Sequence, residues 1–195
     1  MWFYRAPMDE RTAVTPDAAG LKALGHPVRL RMLGLLRIEG PATATGLATR
    51  LGLNTGATSY HLRQLAQHGF IEEDEERGNA RDRWWRAAHQ STYTGGASAA
   101  DPEEAEAHDA YSQALAVFYG EQLHNAVSER MSLPADWLAT TTMSDWNLKL
   151  TPAKAKALLE ALFELIEDVD EEAGADGVGD YVVQLATFPR PGTIQ

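Results

Sequence analysis

Two short helical patterns joined by a tight glycine turn lie within residues 43–69, and this arrangement constrains the fold more than any other feature of the sequence. Thr43 is suited to cap the N-terminus of the first helix, which ends at Leu51-Gly52. Asn54 or Thr55 caps the second helix, which runs to the glycine that closes the segment. The pattern therefore predicts a helix-turn-helix.

The segments on either side extend this pattern into a larger domain. Two helices precede it, one capped by Asp17 and the other beginning near Pro27 and ending at Gly40. Two extended segments follow it, residues 70–76 and 83–86, and a Gly-Asn turn between them predicts a β-hairpin. Helices followed by a hairpin in this order are typical of a winged helix-turn-helix domain.

A second module is predicted beyond a stretch of small residues. A long helix begins at Asp101-Pro102 and reaches about Met131, with an apolar face along it. Residues 145–150 alternate in polarity like a half-buried strand, Thr151-Pro152 begins another helix, and residues 181–188 form a strand that a proline ends. A strand, a helix and a strand in that order predict a small β-α-β unit.

The predicted fold class is therefore α+β and mainly helical. A winged helix-turn-helix comes first, and a long helix and a small β-α-β unit follow it. The predicted divisions are an N-terminal tail (1–16), the winged helix-turn-helix DNA-binding domain (17–92), a linker (93–102) and a C-terminal dimerisation and possible effector domain (103–195).

Charge divides along the same boundary. The whole chain has a formal net charge of -11. Residues 17–90 have 10 basic and 8 acidic side chains, whereas residues 91–195 have 5 basic and 18 acidic ones. Five of the eight acids in the first region form the run 72–76, and none lies between Gly40 and Ile71. Because DNA phosphates attract basic surfaces, only the first region is suited to face DNA.

The second helix of the helix-turn-helix has a polar face without carboxylates. At 100° per residue, Thr58, Leu62 and Leu65 fall on one side, which is the side expected to enter the core. Small, hydrogen-bonding and basic side chains fall roughly opposite, and we expect this face to meet DNA. They are Gly56, Ser59, Tyr60, Arg63 and Gln67.

Several classes of protein are excluded or disfavoured by what the sequence lacks. The chain contains no cysteine, so disulfides and thiolate metal sites are excluded. No apolar run is long enough to span a bilayer and no secretory signal is recognisable, so we expect a cytoplasmic protein that does not contact a membrane. No nucleotide-binding, hydrolase or metalloprotease motif occurs. We therefore expect neither an enzyme nor a bound cofactor.

Three segments resemble one known family. Residues 21–31, LKALGHPVRLR, resemble the opening of ArsR-type transcriptional repressors. Residues 56–73, GATSYHLRQLAQHGFIEE, are similar to the recognition helix of that family and its entry into the wing. Residues 78–89, GNARDRWWRAAH, resemble the wing of an actinobacterial branch that has an added C-terminal domain. The resemblance is close over residues 17–90 and looser beyond them.

The resemblance implies two sets of DNA contacts. Thr55, Ser59 and Tyr60 occupy recognition-helix positions that face bases in the major groove, and Arg63 is placed for a base or phosphate contact. The wing tip is suited to backbone or minor-groove contacts. Its candidate residues are Arg77, Asn79 and Arg81.

The chain departs from the family pattern in the residues that would sense a metal through thiolates. The family's metalloid sensors have a cysteine pair on the helix before the recognition helix, where this chain has TATGLA at residues 43–48. His108 and His124 each have a carboxylate nearby, yet their separation would let them share a metal only across a dimer. We interpret them as surface histidines and predict no metal site.

These features predict a sequence-specific transcriptional regulator, in the first place a repressor, that binds an inverted repeat in double-stranded DNA as a homodimer. The long helix is expected to dimerise through small residues such as Ala107 and Ala114. The β-α-β unit is either a stabilising cap or a pocket where Trp137 and Trp146 stack on a small organic effector, and both interpretations stay open. The alternative, favoured by the net charge of -11, is a winged-helix module that binds other proteins without specific DNA binding.

Overall fold

The computed structural model describes residues 13–78, 82–94, 101–170, 172 and 175–193. The chain forms two compact units, Met1–Arg130 and Met131–Gln195. Seven α-helices lie in the described residues: α1 (Ala18–Leu24), α2 (Pro27–Ile38), α3 (Ala44–Leu51), α4 (Thr55–Gln67), α5 (Pro102–Glu129), α6 (Ala135–Ala139) and α7 (Pro152–Glu167).

Local capping sets where the helices of the first unit begin. Asp17 accepts a hydrogen bond from the Gly20 amide at 2.8 Å, and Asn54 accepts one from the Ala57 amide at 2.8 Å. Asn54 is therefore the cap of α4, and Thr55 is its first residue. Gly52 ends α3 with a φ of 65°, a left-handed conformation that favours glycine and lets the chain turn sharply into α4.

Within the residues that the structure describes, five short strands form two small sheets. The strands are β1 (Ala13–Val14), β2 (Ala42–Thr43), β3 (Ile71–Glu73), β4 (Trp84–Ala87) and β5 (Ser91–Thr92). The predicted hairpin is present as the antiparallel pair β3-β4, and β2 adds to the other edge of β4. We call the segment from β3 through β4 the wing. The order of α2, α3, α4 and the wing confirms the winged helix-turn-helix.

The core of the first unit lies between the helices and the base of the wing. Its largest fully buried side chains are Leu24, Met32, Leu33, Leu62, Leu65 and Phe70. Trp85 of β4 joins this cluster and is 7% exposed. The core holds one face of α4 inward and thereby fixes which face of that helix points to solvent.

Helix α5 belongs to the first unit and packs against α1 and α2, whereas the sequence predicts that a separate domain begins at residue 103. Ala107, Tyr111 and Ala114 are buried in the same core cluster as α1 and α2. A Cβ added to Gly25 would lie 3.2 Å from the Cβ of Ala110, so the backbones of α1 and α5 approach closely. The small residues expected at a dimer contact therefore pack, in large part, within the chain itself.

The second unit differs from the sequence-based prediction. Its described residues contain α6 and α7 but no strand, so the predicted β-α-β unit is not formed. The segments 145–150 and 181–188 lack the partner that a strand needs, and Trp146 in the first of them is 77% exposed. Tyr181 instead donates a hydrogen bond to the Thr140 carbonyl at 2.8 Å.

Candidate nucleic-acid interface

Helix α4 presents its polar face to solvent as predicted. Thr58, Leu62 and Leu65 are completely buried, whereas Tyr60 is 51% exposed. Ser59 is half-buried, and the remaining members of the polar face are exposed. These are Thr55, Gly56, Arg63 and Gln67.

Arg63 is the cationic side chain of this face. Among the residues that the structure describes, no carboxylate forms an ion pair with it. By contrast, Arg50 on α3 pairs with Glu39, and Arg31 on α2 pairs with Glu121 of α5. Arg63 can therefore offer its full charge to an incoming anion without first breaking a salt bridge.

A depression of about 300 Å³ lies beside this face. Ser59 and Arg63 contribute to it from α4, and Trp85 contributes from β4. The other lining residues are Thr43, Ala44, Thr45, Asp82 and Arg83. Residues of β2, α3, α4 and the wing thus meet here, and beside one carboxylate they bring hydroxyl and guanidinium groups that suit phosphate oxygens.

Ion pairs run along the wing. Glu72 lies opposite Arg86 in the β3-β4 register, and their side chains pair at 2.8 Å. Arg83 pairs with Glu73 at 3.2 Å. The acidic run is therefore paired in part with basic side chains of the same hairpin, and its charge does not simply oppose DNA.

Arg77 is the candidate wing-tip residue that the structure describes. Its backbone amide donates to the Asp74 carboxylate at 3.3 Å, and its guanidinium lies 3.7 Å from the same carboxylate. The guanidinium also lies 6.0 Å from the ring centre of Trp84. Asn79 and Arg81, the other candidates at the tip, lie outside the described residues.

Two histidines lie next to each other, one on α4 and one at the start of α2. The ring of His61 on α4 lies 4.6 Å from that of His26, whose Nδ1 accepts a hydrogen bond from the Val28 amide at the start of α2. Burial lowers the pKa of His61, and the nearby His26 and Arg29 lower it further. Burial and Arg29 lower the pKa of His26 as well. Burial and the neighbouring charges therefore favour the neutral form of both imidazoles.

The two candidate effector residues have different surroundings in the described part of the chain. Trp137 in the second unit lies 6.2 Å from the ring of Tyr181. Trp146 is exposed, and its ring contacts no other ring among those of the described residues. Nor do the described parts of the chain contain a group of three or more side chains suited to hold a metal ion. None of the described helices is both long and apolar enough to cross a membrane.

Sequence reasoning missed Arg83 and the hydroxyls of α3. Arg83 precedes β4 by one residue and shares the face of Trp85, because side chains two positions apart on a strand point the same way. That alternation was visible in the sequence. The position of Thr45 at the depression was not, since it depends on how α3 and the wing pack together.

Comparisons with known proteins agree with this architecture. A family model described as "Helix-turn-helix domain" matches residues 24–74. The HTH-type transcriptional regulator NmtR of Mycobacterium tuberculosis is 32% identical over 125 residues, which cover 64% of this chain and 86% of NmtR. The HTH-type transcriptional regulator YgaV of Escherichia coli is 42% identical over 60 residues, which cover 30% of this chain and 60% of YgaV.

The chain is also similar to solved structures. The winged helix-turn-helix domain of Mb0332 from Mycobacterium bovis, described as homodimeric and as a possible ArsR-family transcriptional regulator, has 23% sequence identity and a TM-score of 0.34. The match covers 56% of this chain and 81% of that domain.

Proposed function

The chain belongs to the ArsR-type winged helix-turn-helix transcriptional regulators, and from this membership we propose that it represses transcription by binding an inverted-repeat operator as a homodimer. The observation that supports DNA binding most directly is the outer face of α4. It is exposed, it has no carboxylate, and its arginine has no carboxylate partner among the described residues.

The two parts of the interface have different roles in this proposal. Ser59 and Tyr60 contact base edges in the major groove, together with Thr55 at the start of the helix. Gly56 lets the first turn approach the duplex closely, and Gln67 and Arg63 complete the contact along the helix. The wing residues Arg77, Asn79 and Arg81 contact the backbone or the minor groove.

The dimer contact is proposed on the exposed side of α5, away from α1 and α2. Val117, Leu123 and Val127 are 53%, 41% and 48% exposed. Apolar side chains on a long helix are stabilised when a second copy covers them, and a two-fold axis places two recognition helices on successive turns of DNA.

The input signal is proposed to be something other than a metal. No thiolate exists in the chain, and we expect a small organic molecule, with Trp137 or Trp146 of the second unit as its stacking residue. Carboxylates are numerous in this part of the chain and favour a cationic molecule.

Selection of duplexes from random DNA by the full-length protein tests the proposal. We expect an enriched inverted repeat with half-sites roughly 10 or 20 base pairs apart, and a dimer in sedimentation at micromolar concentration. Failure to enrich any repeat would contradict operator binding and would favour a protein-interaction module, for which the net charge of -11 is better suited.

A further inference from the structure

Arginines and carboxylates of the wing form a series of ion pairs. Glu72, Glu73 and Asp74 are consecutive, and each forms an ion pair with an arginine of the wing. Among these three arginines only Arg83 lines the depression beside α4. The Glu73–Arg83 pair is therefore the one that bears on the surface where the recognition helix meets DNA.

The geometry of this pair leaves it easy to open. The contact joins Nε of Arg83 to Oε2 of Glu73 at 3.2 Å, and the two side chains are 60% and 42% exposed. Exposed pairs of this kind contribute little to stability because water screens them. The Arg83 guanidinium also lies 5.7 Å from the ring centre of Trp85, which keeps it against the depression when the carboxylate is released.

The Glu73–Arg83 ion pair determines the net charge that the depression offers to an anion. Arg63 and Arg83 line the depression together with the carboxylate of Asp82. With Glu73 next to Arg83, these four side chains have no net charge. A phosphate that displaces Glu73 from Arg83 meets two guanidinium groups beside the remaining carboxylate of Asp82, and the net positive charge of these three side chains favours its binding.

We propose that one DNA backbone phosphate binds in the depression, where Arg83 and Arg63 contact it. In the free protein Glu73 forms an ion pair with Arg83 and thereby competes with this phosphate. This inference rests on the proposed DNA binding. Glu73 acts through Arg83 and is a positioning residue. The competition by Glu73 weakens binding to every duplex, so that only duplexes with good recognition-helix contacts stay bound.

Equilibrium binding to a selected operator duplex, with full-length variants, tests the inference. Glu73→Gln should bind about 3- to 10-fold more tightly at roughly 0.1 M salt, and its salt dependence should steepen by about one phosphate contact. Glu72→Gln is the matched control, because it removes the same charge and frees Arg86, which does not line the depression. It should change affinity less than twofold.

A double-mutant comparison shows whether the gain passes through Arg83. In the Arg83→Ala background, Glu73→Gln should bring no more gain than Glu72→Gln. Replacing single phosphates by neutral methylphosphonates should reveal one position per half-site whose loss weakens the wild type but not Arg83→Ala. Equal gains from Glu73→Gln and Glu72→Gln, or a gain that survives Arg83→Ala, would overturn the inference while leaving operator binding intact. A wild type that prefers no duplex would instead remove the proposed function itself.

Discussion

Substitutions on opposite faces of α5 should separate the surface that the chain covers itself from the surface left for a second copy. Ala107 is completely buried in the core of the first unit, and Val127 is 48% exposed farther along the same helix. Ala107→Leu inserts three carbon atoms where no space is left. Val127→Glu places a charge where we expect an apolar dimer contact.

The expected magnitudes follow from burial. Overpacking a filled core costs about 1–3 kcal/mol, and for a chain of this size each kcal/mol lowers Tm by roughly 2–4 °C. Ala107→Leu should therefore melt roughly 2–12 °C below the wild type while remaining dimeric. Val127→Glu should weaken the dimer at least tenfold, or about 1.4 kcal/mol, because a carboxylate loses water at an apolar contact.

Circular dichroism melts and sedimentation velocity measure the two effects separately. Both should be done at one protomer concentration, since the melting temperature of a dimer depends on concentration. Gly120→Ala on the same exposed side of the helix, where a Cβ would meet nothing within 4 Å in the chain itself, should raise stability by up to about 1 kcal/mol through helix propensity. If Ala107→Leu dissociated the dimer without lowering Tm, the assignment of its face to the chain's own core would be wrong.

Three further predictions concern DNA, pH and metals. Ser59→Ala should change which operator bases are tolerated, by about 1–3 kcal/mol per contact, whereas Arg77→Ala should weaken all duplexes alike; the reverse pattern in a binding selection would contradict these roles. The free energy of unfolding should fall as pH drops below 6.5, because His26 and His61 have lowered pKa values in the folded chain and take up protons more readily in the unfolded one. Denaturant titrations from pH 7.5 to 5.5 should show this fall, and the dependence on pH should be weaker in His61→Asn. Zinc, nickel, arsenite or a chelator should leave operator affinity within a few-fold in gel shifts, and a tenfold loss with a stoichiometric metal would restore a histidine site.

The helix-turn-helix was predictable because its signals are local. Asn54 and Thr43 cap their helices through hydrogen bonds to amides three residues on, and the turn depends on one glycine. Burial of Leu62 and Leu65 follows from helical spacing alone. Each of these features depends on residues close together in the chain, where a sequence pattern is informative.

The C-terminal half was predicted less well because its structure depends on distant contacts. Alternating polarity at residues 145–150 indicated a strand, yet a strand exists only where another strand pairs with it. The apolar face of α5 predicted, from its small residues, a close contact with another helix. Its partner, however, is α1 and α2 of the same chain over Ala107 and Ala114, and nothing in the spacing distinguishes an internal partner from a second copy.

Net charge was similarly an incomplete guide to the DNA-facing surface. The first region exceeds neutrality by only two charges, a value that by itself argues weakly for phosphate binding. The net charge of this region does not show which basic side chains are available to DNA, because Lys22 and Arg31 form ion pairs with Glu103 and Glu121 on α5. The acids of the second region thereby neutralise basic groups on the side where α5 packs, whereas no described carboxylate pairs with Arg63 on the recognition helix. The position of each ion pair, rather than the sum of charges, determines where this surface can attract DNA.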